Sequence, residues 1–152
     1  MIGLLRSFGY AFQGVAACLL RERNFRIHTL AGALAIVMGA YCQLSGTQWA
    51  VLLLAIALVL CCEAVNTAVE AAVDLVSPGE HPLAKLAKDC AAGAVLLAAA
   101  GSVGVGFCLF GDLEVLGGFF SLWVASPARV AGSILLLSFC LLYVFCPLWE
   151  KR

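Results

Sequence analysis

Charged residues are scarce in this chain, since only 12% of its 152 residues are Asp, Glu, Lys or Arg and 64% are hydrophobic. The mean hydropathy of the chain is +1.06. A soluble domain of this length with that value would expose far too much apolar surface to water. The nine basic and nine acidic residues balance, so nothing in the overall charge indicates a basic face that holds a nucleic acid. The lipid bilayer is therefore the solvent for most of the chain.

Several familiar motifs are also missing. There is no Walker motif and no protein-kinase glycine-rich pattern, so a nucleotide site must be of another kind. The eight cysteines have no CxxC spacing, and most lie within or at the ends of apolar runs. We interpret them as small hydrophobic residues, which excludes a secreted disulfide framework and a thiolate metal site.

Long apolar segments are abundant in the chain. A helix needs about 18 or more apolar residues to cross the bilayer core. Four segments are predicted to span: Thr29 to Leu44 with its flanks, Trp49 to Val73, Leu83 to Phe110, and Ala128 to Trp149. The connections are short. Pro82 is expected to start one helix after a turn, and Ser126 before Pro127 is typical of another helix start. The fold class predicted is all-α, a polytopic membrane helical bundle.

The first 22 residues follow a different pattern. Apolar residues recur every three or four positions and polar residues fall elsewhere, which predicts an amphipathic helix lying in the membrane interface. The apolar positions are Leu5, Phe8, Phe12, Val15 and Leu19. The alternative is a signal peptide with a lipoprotein-like site, which is disfavoured because Gly9, Gln13 and Gly14 interrupt its apolar core.

Basic residues predict the orientation, because Lys and Arg near span ends are retained in the cytoplasm. They cluster before the first span, beside the turn between the second and third, and after the fourth: Arg6, Arg21, Arg23, Arg26, Lys85, Lys88, Lys151 and Arg152. The predicted outer loops have only Asp112, Glu114 and Arg129. Four spans with both chain ends in the cytoplasm satisfy this pattern.

Acidic residues within the second predicted span are the main candidates for function, because an ionised carboxylate at membrane depth is costly. At 100° per residue, Glu63, Asn66, Glu70 and Asp74 lie within roughly 80° of one another and form a polar stripe about 16 Å long. Residues 49–62 before the stripe are uncharged. Glu63 is therefore predicted to be the deepest acid and Asp74 the acid nearest the cytoplasm.

Charged residues elsewhere complement this polar stripe. Lys85, Lys88 and Asp89 share a helix face at i, i+3 and i+4, and Glu22 lies among arginines before the first span. Such a set suits phosphoryl transfer, in which carboxylates hold Mg²⁺, cations neutralise charge and one carboxylate deprotonates the attacking hydroxyl. The same set also suits a proton or cation pathway, or an ion-pair cluster, and spacing alone does not decide between them.

The stripe and its surroundings resemble the small bacterial diacylglycerol kinase family. The resemblance is carried by EAVNTAVEAAVD at 63–74, HPLAK at 81–85, KD at 88–89 and ERNFR at 22–26, and it covers about residues 1–110. The ERNF and HPLAK forms are more similar to undecaprenol kinases of Gram-positive-type bacteria than to enterobacterial diacylglycerol kinases.

The resemblance implies transfer of the γ-phosphate of MgATP to the primary hydroxyl of a membrane lipid, with undecaprenol favoured over diacylglycerol, in the bacterial cytoplasmic membrane. It implies that Glu63 is the general base and contacts the lipid, and that Glu22 and Glu70 hold Mg²⁺ and contact the nucleotide. It also implies a homotrimer of three-span subunits, in which a partner subunit can supply Glu22.

Further roles are implied by position in the family pattern. These are phosphate and reaction-centre contacts for Asn66, Lys88 and Asp89, nucleotide contacts for Tyr10, Gly79, Glu80 and His81, and substrate contacts for Arg26 and Asp74.

The chain departs from the family pattern in two places. The family often has an arginine seven residues before the Tyr10 position, where this chain has Gly3, with Arg6 as the nearest cation. The fourth span also has no counterpart in the three-span pattern. The predicted organisation is therefore a lipid kinase domain at 1–110 and an extension at 111–152, which packs around the trimer or covers the opening where lipid enters.

Overall fold

The computed structural model describes residues 2–145, and within that range it contains six α-helices and no strand. The helices are α1 (Ile2–Arg21), α2 (Arg23–Tyr41), α3 (Gly46–Val76), α4 (Pro82–Phe110), α5 (Leu113–Val124) and α6 (Pro127–Phe145). The predicted all-α bundle is confirmed. The last part of the predicted fourth span, after Phe145, lies outside the described residues together with Lys151 and Arg152.

In the part of the chain that the structure describes, four helices are long and apolar enough to cross a membrane, namely α1, α3, α4 and α6. The number equals that of the predicted spans, but the set differs, because α1 is included and α2 is not. The predicted span from Thr29 to Leu44 overlaps the apolar part of α2, whose first turns contain Arg23, Arg26 and His28. These polar residues lower the mean hydropathy of α2.

α1 contacts the bundle mainly through its last turns. Cys18 is buried and Ala17 and Leu19 are half-buried, whereas residues 3–16 are exposed. The predicted N-terminal helix is thus confirmed as a helix that ends at Arg21. Its position in the membrane interface stays a prediction.

Two glycines allow α2 to pack closely against α3. A Cβ atom on Gly32 would lie 2.9 Å from Cγ2 of Ile56. A Cβ atom on Gly39 would meet the side chains of Trp49 and Leu52 at 3.1 and 3.2 Å. Larger side chains at these two positions would push the helices apart. The antiparallel arrangement places the beginning of α2 beside the second half of α3.

The turns around α3 are defined by capping interactions. Gln43 has φ of 51°, and the N–H of Leu44 donates to the carbonyl of Gly39, which closes α2 with a Schellman motif. Ser45 and Gln48 then cap α3 reciprocally. These interactions fix the register between α2 and α3.

α3 and α4 form the most extensive helix pair of the bundle. Within it, the hydroxyl of Ser102 lies 3.2 Å from the carbonyl oxygen of Ala55 on α3. The predicted helix start at Pro82 is confirmed, and the imidazole Nδ1 of His81 accepts a hydrogen bond from the N–H of Leu83 at 3.2 Å. A short turn therefore holds the end of α3 beside the start of α4.

α5 was not predicted from the sequence, which assigns no helix between α4 and α6. Its first turn is capped by Asp112, whose Oδ1 accepts from the N–H groups of Glu114 and Val115 at 2.9 and 3.3 Å. The ring of Phe119 packs edge-on against Tyr41 near the end of α2, with 4.9 Å between centroids. Twelve residues extend about 18 Å, so α5 is too short to add a span.

α6 returns to the end of the bundle where α2 begins. The buried guanidinium of Arg26 donates through Nη2 to the carbonyl of Val144 at 3.0 Å, and through Nη1 to that of Leu20 at 2.9 Å. One side chain thus joins α1, α2 and α6. The start of α2, the turn between α3 and α4, and the end of α6 lie at the same end of the bundle, in agreement with an even number of crossings.

Candidate active site

The polar stripe predicted on the second span lies on α3, and its burial changes along the helix. Glu63 is buried, with 3% of its surface exposed. Asn66 and Glu70 are half-buried and Asp74 is exposed. The stripe therefore runs from the interior of the bundle toward the end where the basic residues gather.

The carboxylate of Glu63 has one close polar neighbour on α2. Nε2 of His28 lies 3.2 Å from Oε1 of Glu63. The geometry does not make this contact a hydrogen bond, and Oε1 is buried without a hydrogen-bond donor. Sequence reasoning did not single out His28. The available signal was an ionisable residue directly before the first predicted span, which begins at Thr29.

Asn66 and Glu70 are joined on the stripe. Nδ2 of Asn66 donates to Oε1 of Glu70 at 2.9 Å, while Oδ1 of Asn66 is buried and has no hydrogen-bond donor. Buried polar atoms are almost always paired in folded proteins. Here two buried oxygens on one helix face lack a donor, namely Oε1 of Glu63 and Oδ1 of Asn66. Such a pair is typical of a site that a ligand completes.

Glu22 lies between α1 and α2, where it is the residue before the first turn of α2. Its backbone is extended and its side chain makes no cap hydrogen bond, so the carboxylate is free of that local role. Glu22 is half-buried at the start of α2, and Glu70 is half-buried in the second half of α3. The antiparallel packing of these helices puts both carboxylates at the same end of the bundle within one subunit.

The donor set of this region fits magnesium. Among residues 2–145, no group of three His, Cys, Asp or Glu side chains is arranged to hold a metal ion by itself. Glu22 and Glu70 offer only hard carboxylate oxygens, and the unpaired Oδ1 of Asn66 is a third oxygen beside Glu70. Mg²⁺ usually keeps several waters and is held by one or two carboxylates together with substrate phosphates.

An open cleft of about 880 Å³ lies between the end of α3 and the start of α4. Six predicted site residues line it: Asp74, Gly79, Glu80, His81, Lys88 and Asp89. Nζ of Lys88 lies 2.5 Å from Oδ1 of Asp74, and Nζ of Lys85 lies 2.9 Å from Oδ2 of Asp89. Both pairs are at least partly exposed and therefore stabilise the fold little. The lysines remain available to other anions.

Other predicted site residues are not gathered at this cleft. Tyr10 is 70% exposed on α1. The guanidinium of Arg26 is directed at two backbone carbonyls, so its predicted contact with substrate stays a prediction. Gly3 and Arg6 are both exposed on α1, and no neighbouring group lies within 4 Å of the Cβ position of Gly3. Glu63 lies deeper along α3 and does not line the cleft.

Comparison with known proteins identifies the family. Residues 9–110 match the prokaryotic diacylglycerol kinase family. The chain is 51% identical over 107 residues to a diacylglycerol kinase of Synechocystis, covering 70% of this chain and 61% of that protein. It is 39% identical over 105 residues to an undecaprenol kinase of Bacillus subtilis, covering 69% and 85%. It is 32% identical over 95 residues to a diacylglycerol kinase of Escherichia coli K12, covering 62% and 78%.

The matched segment contains the polar stripe and the cleft described above. It includes α2, α3 and α4 and every predicted site residue from Tyr10 to Asp89, and it ends where α4 ends. The match spans about three fifths of the length of the Synechocystis relative. The relatives are named for the phosphorylation of two different lipids. The chain belongs to the prokaryotic diacylglycerol kinase family, a family of membrane lipid kinases.

Proposed function

We propose that this protein transfers the γ-phosphate of MgATP to the primary hydroxyl of undecaprenol at the cytoplasmic surface of the bacterial membrane. The observation that carries the proposal is the buried carboxylate of Glu63, which lacks a hydrogen-bond donor at the inner end of a polar stripe. The stripe leads to a cleft with two lysines. A lipid hydroxyl reaches such a carboxylate through the bilayer, and a nucleotide reaches the cleft from water.

The cleft suits a nucleotide because its two lysines pair with exposed carboxylates, which phosphate oxygens can replace. Phosphate oxygens entering the cleft compete with Asp74 for Lys88 and with Asp89 for Lys85. From Asp74 to Glu63 the stripe extends about 16 Å along α3. A nucleotide bound in the cleft with its phosphates extended along the stripe brings the γ-phosphate toward the base.

We assign the chemical roles as follows. Mg²⁺ held by Glu22 and Glu70 would neutralise charge on the nucleotide phosphates. Asn66 orients the carboxylate of Glu70 through their hydrogen bond. Glu63 takes the proton of the lipid hydroxyl as its oxygen attacks the γ-phosphorus. The products are the lipid monophosphate, ADP and a proton.

We also propose that the active protein is a homotrimer. Small residues let membrane helices approach closely, and α4 has several of them. No neighbouring atom within 4 Å would meet a Cβ at Gly93, Gly101 or Gly104, so this part of α4 has room for another helix. A partner subunit packed there would cover a face that a single chain leaves open.

A second lipid, diacylglycerol, is the alternative substrate, because the Synechocystis relative with 51% identity is named for it. The test is a side-by-side assay of the purified protein in vesicles that contain undecaprenol or diacylglycerol, with radiolabelled ATP and Mg²⁺. We expect kcat/KM for undecaprenol to be about tenfold higher or more. A higher value for diacylglycerol would contradict the choice of lipid. Absence of lipid phosphorylation in both kinds of vesicle would contradict the proposed kinase activity.

A cation or proton pathway along the stripe is the other function that the residues permit. Against it, the half of α3 before Glu63 is uncharged, and Leu52 and Val59 are buried there with 4% and 5% exposure. We expect protein-containing liposomes to be no more permeable to protons than empty ones in the absence of ATP. Proton flux that is lost in both Glu63→Gln and Glu70→Gln would contradict this expectation.

A further inference from the structure

The buried carboxylate of Glu63 needs a partner that holds it in one orientation. Its side chain is only 4% exposed, and Oε1 has no hydrogen-bond donor. A buried, ionised carboxylate without donors is unfavourable, and it is free to rotate between orientations. A general base works only when one oxygen is fixed toward the proton that it accepts.

One basic side chain in the described part of the chain is placed to supply this constraint. Nε2 of His28 lies 3.2 Å from Oε1 of Glu63, and an imidazole has an N–H to donate. The neighbouring neutral donors are engaged elsewhere, since Nδ2 of Asn66 donates to Glu70 and the hydroxyl of Thr67 donates to the backbone carbonyl of Glu63. No lysine or arginine lies within ion-pair distance of Glu63 among residues 2–145.

The distance between His28 and Glu63 is set by the packing of the helix backbones. Gly32 lies one turn after His28 on α2, and Ile56 lies two turns before Glu63 on α3. A Cβ on Gly32 would come within 2.9 Å of Ile56, so the two helices are in close contact there. On the preceding turn, Phe25 is buried with 5% exposure. This packing leaves the imidazole little freedom to move away from the carboxylate.

We propose that His28 is a positioning residue for the base Glu63, an inference that rests on the proposed kinase function. The imidazole Nε2–H donates to Oε1 and thereby directs Oε2 toward the lipid hydroxyl. In the present geometry this contact is long and poorly aligned, as is common for catalytic contacts without substrate. It shortens when lipid and nucleotide fill the site. The side chain of His28 is half-buried, with 27% of its surface exposed, beside the buried carboxylate.

Three substitutions of His28 test this role. Glutamine places an amide N–H near the position of Nε2, whereas asparagine places it near Nδ1, one bond too far from Glu63. Phenylalanine keeps the ring shape without a donor. We expect kcat for lipid phosphorylation to fall about 10- to 100-fold in His28→Phe and His28→Asn. We expect His28→Gln to stay within about fivefold of the parent, because the donor is kept. KM for MgATP should be unchanged in all three.

The assay uses the full-length protein in vesicles that contain both undecaprenol and diacylglycerol, with thermal unfolding measured for each variant. Equal kcat in His28→Phe and the parent would overturn the inference and leave the kinase intact. Equal losses in His28→Gln and His28→Asn would overturn it as well, and these two amides decide the matter if His28→Phe does not fold. A parent protein that phosphorylates neither lipid would overturn the inference together with the proposed function.

Discussion

At the scale of residues, the candidate site consists of oxygens that are buried without full pairing. Oε1 of Glu63 and Oδ1 of Asn66 both lack a donor, although each is out of contact with solvent. An unsatisfied buried polar atom costs about 1–3 kcal/mol, so such atoms are retained where a ligand or reaction uses them. Both lie on the stripe that also carries Glu70, which Asn66 already orients.

Replacement of Asn66 tests the assignment of Glu70 to the metal. Asn66→Leu removes the hydrogen bond to Oε1 of Glu70 and leaves that carboxylate without its orienting partner. We expect the Mg²⁺ concentration for half-maximal activity to rise about tenfold or more. The control is Thr67→Val, because the hydroxyl of Thr67 bonds only the backbone carbonyl of Glu63. An unchanged Mg²⁺ requirement in Asn66→Leu would contradict the assignment.

The sequence was sufficient to predict the stripe but insufficient to predict its neighbour on α2. Glu63, Glu70 and Asp74 stand out because charge within an apolar helix is costly, and helical periodicity places them on one face. The contact with His28 depends on the register of α2 against α3. That register is set by Gly32 and by the turn that follows α2, and no single-helix pattern contains it.

At the scale of elements, the site depends on how closely α2 packs against α3. Gly32 lies between the polar start of α2 and the turn at its end, and a Cβ there would come within 2.9 Å of Ile56. This close packing of the two helices places His28 beside Glu63. The short turn after α3 places the start of α4, which carries the two lysines of the cleft, beside the end of α3.

A methyl group at Gly32 is expected to separate this pair. Gly32→Ala places its Cβ 2.9 Å from Cγ2 of Ile56, a β-branched side chain that cannot turn away easily. We expect a loss of about 1–3 kcal/mol in stability and a lower kcat. Thermal unfolding and lipid phosphorylation measure the two effects.

A compensating change separates this explanation from a general effect of altering a helix glycine. Ile56→Ala removes the clashing methyl, so Gly32→Ala combined with Ile56→Ala should be less destabilised than the sum of the two single variants predicts. Gly104→Ala is the control, because no atom lies within 4 Å of its Cβ position. Additive losses in the double variant would show that the contact with Ile56 is not the cause.

Two elements were predicted less well than the rest, and the reasons are physical. α5 was missed because Gly117 and Gly118 weaken its helical pattern, although Asp112 is a typical N-cap. The first predicted span coincides with only part of α2, because the apolar signal begins after His28 while the helix begins at Arg23. In both cases the helix includes residues that the apolar pattern alone does not assign to it.

At the scale of the whole molecule, the candidate site and most of the basic residues lie at one end of the bundle. Arg26 joins the start of α2 to the carbonyl of Val144 near the end of α6. The cleft lies at the turn after α3, on the same side as the start of α2. The extension after residue 110 thus contacts the bundle beside the site and supplies no predicted site residue.

Removal of residues 111–152 tests the division into a kinase domain and an extension. Because all predicted site residues lie within the family match, we expect the truncated chain to retain most of its kcat for lipid phosphorylation. We expect its thermal unfolding temperature to fall, because Nη2 of Arg26 loses the Val144 carbonyl. A folded truncated protein without kinase activity would show instead that the extension is part of the catalytic unit.

Glu63 is the proposed base of the lipid kinase, and the substitution Glu63→Gln removes this base with the smallest change in side-chain shape. The amide keeps the size of the side chain but cannot accept the hydroxyl proton. We measure lipid phosphorylation by MgATP in vesicles, with Glu114→Gln, an exposed acid outside the family match, as the control. We predict that Glu63→Gln lowers kcat at least about 100-fold while the unfolding temperature and KM for MgATP are unchanged. Turnover near that of the parent protein in a folded Glu63→Gln variant would contradict the account.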